Sequence, residues 1–231
     1  MRKIIPLAAA AAALALPLSS VAAEKGDWII RVGPTNVDPD TSADPFDIAG
    51  LAQVEVDVDD AWALGVTATY MVTDKFGVEL LAATPFKHDI TVNGANIDAG
   101  ETEHLPPTLT VNWYPRGGQE GWQPFVGIGV NYTYFFSEDV DSDLETALGI
   151  ITEPVTGRTD PIPSNLSIDE SWGFAGRLGV DYPINENWSA TASMWYLDIG
   201  TEATIRNSLG NFKADIDIDP FVYMIGVAYS F

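Results

Sequence analysis

The most regular feature of the chain is an alternation of large apolar side chains with small or polar ones. It is clearest in the final segment, where alternate residues from Phe221 to Phe231 are large and apolar and the residues between them include Gly226 and Ala228. A period of two predicts a β-strand whose two faces meet different surroundings. Because the face opposite the bulky residues is mostly small, we expect the bulky face to contact an apolar medium, as in a membrane-spanning strand.

The alternation recurs often enough to predict eight strands. Besides the final segment, clear examples begin at Trp62, Val126 and Trp172, and weaker ones begin at Trp28, Val78, Leu109 and Trp188. Trp and Tyr gather near the strand ends, as in the aromatic girdles of membrane barrels. An open sheet edge would leave unpaired backbone groups in hydrocarbon. The pattern therefore predicts an all-β fold: an eight-stranded antiparallel up-and-down transmembrane β-barrel.

The connections between the predicted strands alternate in length. Long segments span 38–59, 87–103, 137–168 and 200–214, and short turns lie at 73–75, 115–121 and 183–187. Outer-membrane barrels have long external loops and short periplasmic turns, so both termini are expected in the periplasm. The last residue, Phe231, resembles the recognition signal of barrels inserted by the outer-membrane assembly machinery. We therefore expect that machinery, and outer-membrane lipids, as partners.

The first 23 residues are predicted to be a secretory signal peptide. Arg2 and Lys3 precede an apolar run over 4–18, and small residues follow up to Ala23. The apolar run is shorter than the roughly 20 residues that a spanning helix needs. We therefore expect cleavage after Ala23, export through the inner membrane, and a single barrel domain over 24–231 in the Gram-negative outer membrane.

Composition narrows the functional classes. The chain has no cysteine, which excludes disulfides and thiol chemistry. Removal of Arg2 and Lys3 takes the formal net charge from −22 to −24, so no nucleic-acid partner is expected. Acidic residues cluster in 38–60 and in 138–145. They are interpreted as solvated external loops, with binding of divalent cations as the alternative.

Several motifs resemble the outer membrane protein W (OmpW) family, in family order and over nearly the whole predicted barrel. They are Tyr-Met-Val-Thr-Asp at 70–74, Gly-Val-Glu-Leu-Leu-Ala-Ala-Thr-Pro-Phe at 77–86, His-Leu-Pro-Pro-Thr at 104–108, Ser-Trp-Gly at 171–173, Gly-Val-Asp-Tyr at 179–182 and Met-Trp-Tyr at 194–196. The resemblance implies an eight-stranded barrel with a narrow apolar channel that helps small hydrophobic molecules cross the outer membrane. It also implies that a Leu and a Trp constrict the channel, which correspond here to Leu81 and Trp195.

The strand parity gives an independent expectation for the barrel interior. It points Leu81 and Trp195 inward, where Trp195 is either a gate or simply a large side chain that fills a small barrel. It also points four charged residues inward near the turns: Arg31, Glu79, Arg177 and Asp181. Buried charges need partners, so we predict an ion-pair cluster that closes the lower barrel, or that serves only stability and water exclusion.

Prolines mark a predicted weak point in the barrel wall. Pro85, Pro106 and Pro107 lack the backbone N–H that a sheet ladder requires. They are candidate positions for a lateral opening through which a solute would leave into the bilayer. The alternative is that they only end strands at the loop boundary.

Three functional classes remain open at this stage. The first is a barrel that assists the passage of small hydrophobic molecules across the outer membrane. The second is a structural or surface-receptor barrel with acidic ligand-binding loops and no transport. The third, a lipid-modifying enzyme, is disfavoured because the only histidines are His88 and His104 and no Gly-x-Ser-x-Gly motif is present. Two histidines without a third ligand also make a poor metal site. We expect no enzyme activity, no cofactor and no metal.

Overall fold

The computed structural model describes residues 24–48, 50–93, 97–117 and 119–231. The predicted signal peptide lies outside these residues. In the described ranges, no helix is long and apolar enough to cross a membrane.

The described residues form seventeen strands and one helix. In chain order they are β1 (Trp28–Asp38), β2 (Ser42–Ala43), β3 (Phe46–Ile48), β4 (Ala52–Val54), β5 (Val56–Val58), β6 (Ala61–Thr73), β7 (Phe76–Ala83), β8 (Phe86–Val92), β9 (Asp98–Leu105), β10 (Thr108–Trp113), β11 (Gln123–Val140), α1 (Ser142–Thr156), β12 (Asn165–Ile168), β13 (Ser171–Pro183), β14 (Trp188–Leu197), β15 (Gly200–Asn207), β16 (Gly210–Asp217) and β17 (Phe221–Ser230).

Eight of these strands close into a barrel. Each of β1, β6, β7, β10, β11, β13, β14 and β17 pairs antiparallel with the next, and β17 pairs with β1. The predicted eight-stranded antiparallel up-and-down barrel is confirmed. We call the end with the short β6–β7, β10–β11 and β13–β14 turns the turn end, and the opposite end the loop end.

The barrel turns its bulky apolar residues outward. Trp62, Ile128 and Ile225 are each about two-thirds exposed or more, whereas Thr67 and Asn131 point inward and are fully buried. Aromatic pairs lie at both ends of the barrel. Trp188 packs against Tyr229 at the turn end, with ring centroids 4.9 Å apart, and Tyr196 packs against Phe221 at the loop end. Such an exterior is stable only in an apolar medium, with aromatic rings at its boundaries.

The long connections are more ordered than the sequence analysis suggested. The segments 87–103 and 200–214, predicted only as long external connections, contain regular structure, because β8 and β9 form one hairpin and β15 and β16 form another. The physical reason is a short period-two pattern among the acidic residues: Phe86, His88 and Ile90 are buried while the residues between them are exposed. The hairpins extend the wall beyond the barrel at the loop end.

Helix α1 lies within the longest connection and is also amphipathic. Its N-terminus is capped by Asp141, whose side chain accepts a hydrogen bond of 2.8 Å from the Asp143 backbone N–H. Its C-terminus ends at Gly157 in the left-handed conformation with φ of 66°. Leu144, Leu148 and Thr152, spaced four residues apart, form its buried face.

Candidate functional site

The interior near the turn end contains the four predicted charged residues in one network. Arg31 Nη2 lies 2.6 Å from Asp181 Oδ2, and Arg31 Nη1 lies 3.2 Å from Glu79 Oε2. Glu79 Oε2 also forms an ion pair with Arg177. All four residues are buried, so each charge depends on the others.

Neutral side chains complete this network. Thr69 donates a hydrogen bond of 2.6 Å to Glu79, and Arg31 donates one of 3.2 Å to the Tyr114 hydroxyl. The ring of Phe125 lies under both guanidinium groups, 4.9 Å from Arg31 Cζ and 4.4 Å from Arg177 Cζ. These contacts fill the cross-section of a small barrel, whose interior has room only for side chains or one small ligand.

A packed apolar layer lies next, toward the loop end. Leu81 and Trp195 both point inward and are almost fully buried, in one cluster with Phe86, Phe135 and Met224. The Trp195 ring also lies 4.7 Å from Arg177 Cζ, so this layer rests directly on the charged network. The proposed roles of Leu81 and Trp195 as channel constrictions stay predictions.

An apolar cavity of about 60 Å³ lies within the extended wall at the loop end. Leu81 and Trp195, the predicted constriction residues, do not line this cavity. Its walls come instead from the ordered connections, including Ile48, Ile90, Leu148, Ile205 and Ile216. The sequence analysis missed these residues, although the four-residue spacing in α1 and the alternation in β8 and β16 mark them.

The cavity carries one polar strip on the β8–β9 hairpin. His88 pairs across the hairpin with Thr102, and the rings of His88 and His104 stack with centroids 4.8 Å apart. Burial is the main cause that lowers the pKa of His104 to about 3, and the proximity of His88 is the second cause. Burial also lowers the pKa of His88, against a backbone hydrogen bond to Asp59 that raises it. Both rings are therefore neutral near pH 7.

The barrel wall has a gap in its hydrogen bonding at Pro85, Pro106 and Pro107, the three positions predicted for a lateral opening. The ladder between β7 and β10 ends at Leu81 and Thr108, and the ladder between β8 and β9 begins at Phe86 and His104. Within the described residues, no backbone hydrogen bond joins 82–85 to 105–107. We call this interval the seam.

Each side of the seam remains attached to its other neighbour. Thr84 N–H donates to Leu64 O at 3.0 Å, and Tyr132 N–H donates to Pro107 O at 3.1 Å. The wall therefore lacks backbone hydrogen bonds only along the seam, beside the packed apolar layer, and keeps them on either side. Whether the seam opens stays a prediction.

Several acidic residues of the loop end stabilise local structure. Asp141 caps α1, Glu145 accepts a hydrogen bond of 2.8 Å from Ser164 N–H, and Asp60 accepts one of 2.9 Å from Asn36. Among the residues with described positions, no group of three or more His, Asp or Glu is arranged to hold a metal ion.

Comparison with known proteins decides the family. A model of the OmpW family matches residues 24–231. The chain is 39% identical to Outer membrane protein W of Salmonella typhimurium over 99% of this chain and 100% of that protein. The chain belongs to the OmpW family. The predicted family is thus confirmed, and the protein is a β-barrel of the Gram-negative outer membrane.

Two further proteins are similar to this chain. The crystal structure of the outer membrane protein OprG from Pseudomonas aeruginosa superimposes with a TM-score of 0.80 at 40% identity, over 92% of this chain and 99% of that one. A more distant relative, 27% identical over 90% of each chain, is the dibenzothiophene metabolism operon protein PahQ of Pseudomonas aeruginosa. Outer-membrane barrels have long external loops and short periplasmic turns. In this OmpW-family barrel the loop end is therefore the external end, and the turn end is periplasmic.

Proposed function

We propose that this barrel helps small hydrophobic molecules to cross the outer membrane, by taking them from outside into the loop-end cavity and releasing them sideways into the bilayer. The observation that carries the proposal is an apolar cavity at the external end of a barrel whose lower interior is occupied by buried charges. Each methylene moved from water into such a cavity contributes roughly 0.8 kcal/mol. Because the resting cavity of about 60 Å³ is smaller than an aromatic solute, binding also requires its apolar walls to move apart.

A sideways exit follows from the energetics of the lower barrel. A straight path toward the periplasm would have to separate Glu79 from Arg31 and Arg177, and breaking a buried ion pair costs about 3–5 kcal/mol. The seam requires no loss of ladder hydrogen bonds, because none bridges it in the described residues. A hydrophobic solute also keeps its apolar surroundings when it moves from the cavity into lipid.

Two further points support the proposal. The resemblance of Leu81 and Trp195 to the constriction residues of the family is consistent with a blocked axis. PahQ is named for an operon of dibenzothiophene metabolism, which associates that relative with an aromatic sulfur compound, a hydrophobic solute of the class proposed here.

The proposal is tested by closing the seam with a disulfide. The chain contains no cysteine, so a double variant Thr84→Cys with Leu105→Cys introduces only one possible disulfide, with one cysteine on each side of the seam. Its formation on oxidation is checked by thiol labelling. Cells lacking the native gene would carry this variant, wild type or an empty vector, and uptake of labelled toluene and naphthalene would be measured. We expect wild type to exceed the empty vector severalfold, oxidation of the variant to abolish the excess, and reduction to restore it.

The matched control is a cross-link on the same ladder below the seam. Leu80 and Leu109 are lipid-facing partners, so Leu80→Cys with Leu109→Cys joins strands that are already paired. Its oxidation is expected to leave uptake unchanged. Uptake that survives a closed seam contradicts lateral exit, and wild-type uptake equal to the empty vector contradicts transport. The latter result favours a surface-receptor role for the acidic external segments.

Insertion into the membrane is a separate proposal. We infer that the outer-membrane assembly machinery recognises the final strand. The Phe231 side chain is exposed on the barrel exterior, while its backbone N–H donates to Trp28 O at 3.0 Å. Deletion of Phe231 is expected to reduce the amount of heat-shifted, folded barrel in cells.

A further inference from the structure

The loop-end cavity contains two unused polar atoms in otherwise apolar surroundings. Several buried side-chain polar atoms lack a hydrogen-bond partner among the described residues, and of these only His88 Nε2 and Thr102 Oγ1 belong to residues that line the cavity. The two residues are direct cross-strand neighbours on β8 and β9, and each is more than nine-tenths buried. An unpaired buried polar group is costly, so two of them on one cavity wall point to a ligand.

The chemistry of His88 defines which kind of atom it would bind. His88 Nδ1 lies 2.6 Å from the Asp59 carbonyl oxygen, which only accepts hydrogen bonds, so Nδ1 carries the proton. In a neutral imidazole the other nitrogen is then a bare acceptor. His88 Nε2 therefore requires a donor, which an ordinary hydrocarbon does not have.

Thr102 supplies the complementary group. Its hydroxyl both donates and accepts, and it lies across the hairpin from the acceptor nitrogen of His88. A single ligand hydroxyl would satisfy both residues by donating to His88 Nε2 and accepting from Thr102 Oγ1. A ligand carboxylate would satisfy only Thr102, because it has no proton to donate to Nε2.

His104 holds this arrangement in place. Its ring stacks on His88 and also lies 5.4 Å from the Phe86 ring, so the His88 ring is held between the Asp59 carbonyl and an aromatic stack. A fixed acceptor costs less ordering when a ligand binds.

We propose that the cavity selects hydrophobic solutes that carry one hydroxyl group, such as alcohols and phenols, through His88 Nε2 and Thr102 Oγ1. This inference rests on the proposed function, since it assigns the solute class of the same cavity. Pure hydrocarbons enter by apolar contact alone and leave both polar atoms unsatisfied. The strip therefore acts as a specificity determinant within a generally hydrophobic site.

The test uses two solutes of nearly equal shape. Labelled phenol and toluene, in sealed vessels, are equilibrated with the barrel in lipid nanodiscs, and binding to empty nanodiscs is subtracted. Thr102→Val, which conserves shape, and His88→Phe are each expected to weaken phenol binding about tenfold while changing toluene binding less than twofold. In the wild type, phenol but not toluene is expected to shift the ¹⁵N resonance of His88 Nε2.

Thr201→Val provides the matched control. Thr201 also lines the cavity, but its hydroxyl already donates to Asp169 O at 2.5 Å. The same substitution there is expected to leave the ratio of phenol to toluene binding within twofold of wild type. Folding of every variant is checked by heat-shifted gel mobility, and if His88→Phe does not fold, the ¹⁵N shift and Thr102→Val decide.

The outcomes separate this inference from the function on which it rests. If toluene binds and both Thr102→Val and His88→Phe leave the phenol-to-toluene ratio unchanged, the hydroxyl selection is overturned and a hydrophobic site remains. If neither solute binds above empty nanodiscs, both proposals are overturned.

Discussion

The two ends of the barrel interior are filled by opposite kinds of side chain. At the turn end, charges are buried and are neutralised by one another, through Arg31, Glu79, Arg177 and Asp181. At the loop end, the interior is apolar and uncharged, while acidic side chains remain on the outer surface. An interior of paired charges resists any rearrangement, whereas an apolar interior exchanges one apolar contact for another at little cost. This difference is the physical basis for proposing closure at the turn end and solute binding at the loop end.

The largest effect is expected from breaking the charged network. Glu79→Ala leaves Arg177 without its ion-pair partner and should lower the free energy of unfolding by about 3–5 kcal/mol. The measurement is urea unfolding in lipid vesicles, followed by tryptophan fluorescence.

A matched control distinguishes burial from charge alone. Glu101 pairs with Lys87 at 2.6 Å on the exposed surface, so Glu101→Ala should cost no more than about 1 kcal/mol. A combined Glu79→Leu and Arg177→Met variant should regain part of the loss. Equal effects of Glu79→Ala and Glu101→Ala would contradict the special role of the turn-end network.

The layer between the two regions is tested at Trp195. Trp195→Ala is expected to destabilise the barrel by about 3–5 kcal/mol, because it removes a large side chain from a fully buried position. Trp195→Phe should cost less, since it retains a ring and removes an indole N–H that has no partner among the described residues. Hydrocarbon uptake should change less than twofold in both variants if solutes leave at the seam. A marked rise in uptake with Trp195→Ala would instead identify Trp195 as a gate.

A smaller and more local effect is expected at the loop end. Leu148→Ala removes part of the cavity wall contributed by α1 and should cost about 2–5 kcal/mol, detected as faster amide hydrogen exchange of the loop-end hairpins. The enlarged cavity should also shift binding in favour of naphthalene over toluene. Ile150→Ala, on the exposed face of the same helix, is the control and should change neither quantity.

The smallest effect concerns acidification. The pKa of His104 is lowered to about 3, so in the folded barrel this ring stays neutral as the pH falls from 8 to 5, and its NMR signals should not move. The unfolded chain takes up a proton on this residue below about pH 6.5. Its contribution to stability is therefore fully present above pH 6.5 and is lost as the pH falls toward 3.

The control for this prediction is His104→Phe, which fits the stack formed with Phe86 and Phe135. The free energy of unfolding of this variant should depend less on pH between 6.5 and 3 than that of the wild type. Titration of His104 near pH 6.5 in the folded barrel would contradict the description of an uncharged loop-end interior.

The sequence predicted the barrel better than it predicted the cavity, for a physical reason. In β11 and β17 the lipid and the small interior impose opposite demands on alternate residues over ten or more positions, so the pattern is long and clear. In β8 and α1 the buried residues are few and are interspersed with exposed acidic ones. Such segments look like solvated loops until their tertiary contacts are known.

The directions of individual side chains were likewise predictable in the barrel strands and not in the long connections. Strand parity alone pointed Arg31 and Glu79 inward, because a strand in a closed barrel has only two faces. It could not bring His88 next to Thr102, since that contact depends on the register of a hairpin within a connection for which no internal structure was predicted.

The central claim is that solutes occupy the loop-end cavity and not the turn-end interior. The most direct measurement is NMR detection of contacts between protonated toluene and methyl groups of an otherwise deuterated barrel in nanodiscs. We predict cross-peaks to Ile90, Leu148 and Ile216, which line the cavity. We predict none to Ile29 or Met71 beside the charged network. Contacts to Ile29 and Met71, or contacts only to lipid-facing methyl groups, would contradict it.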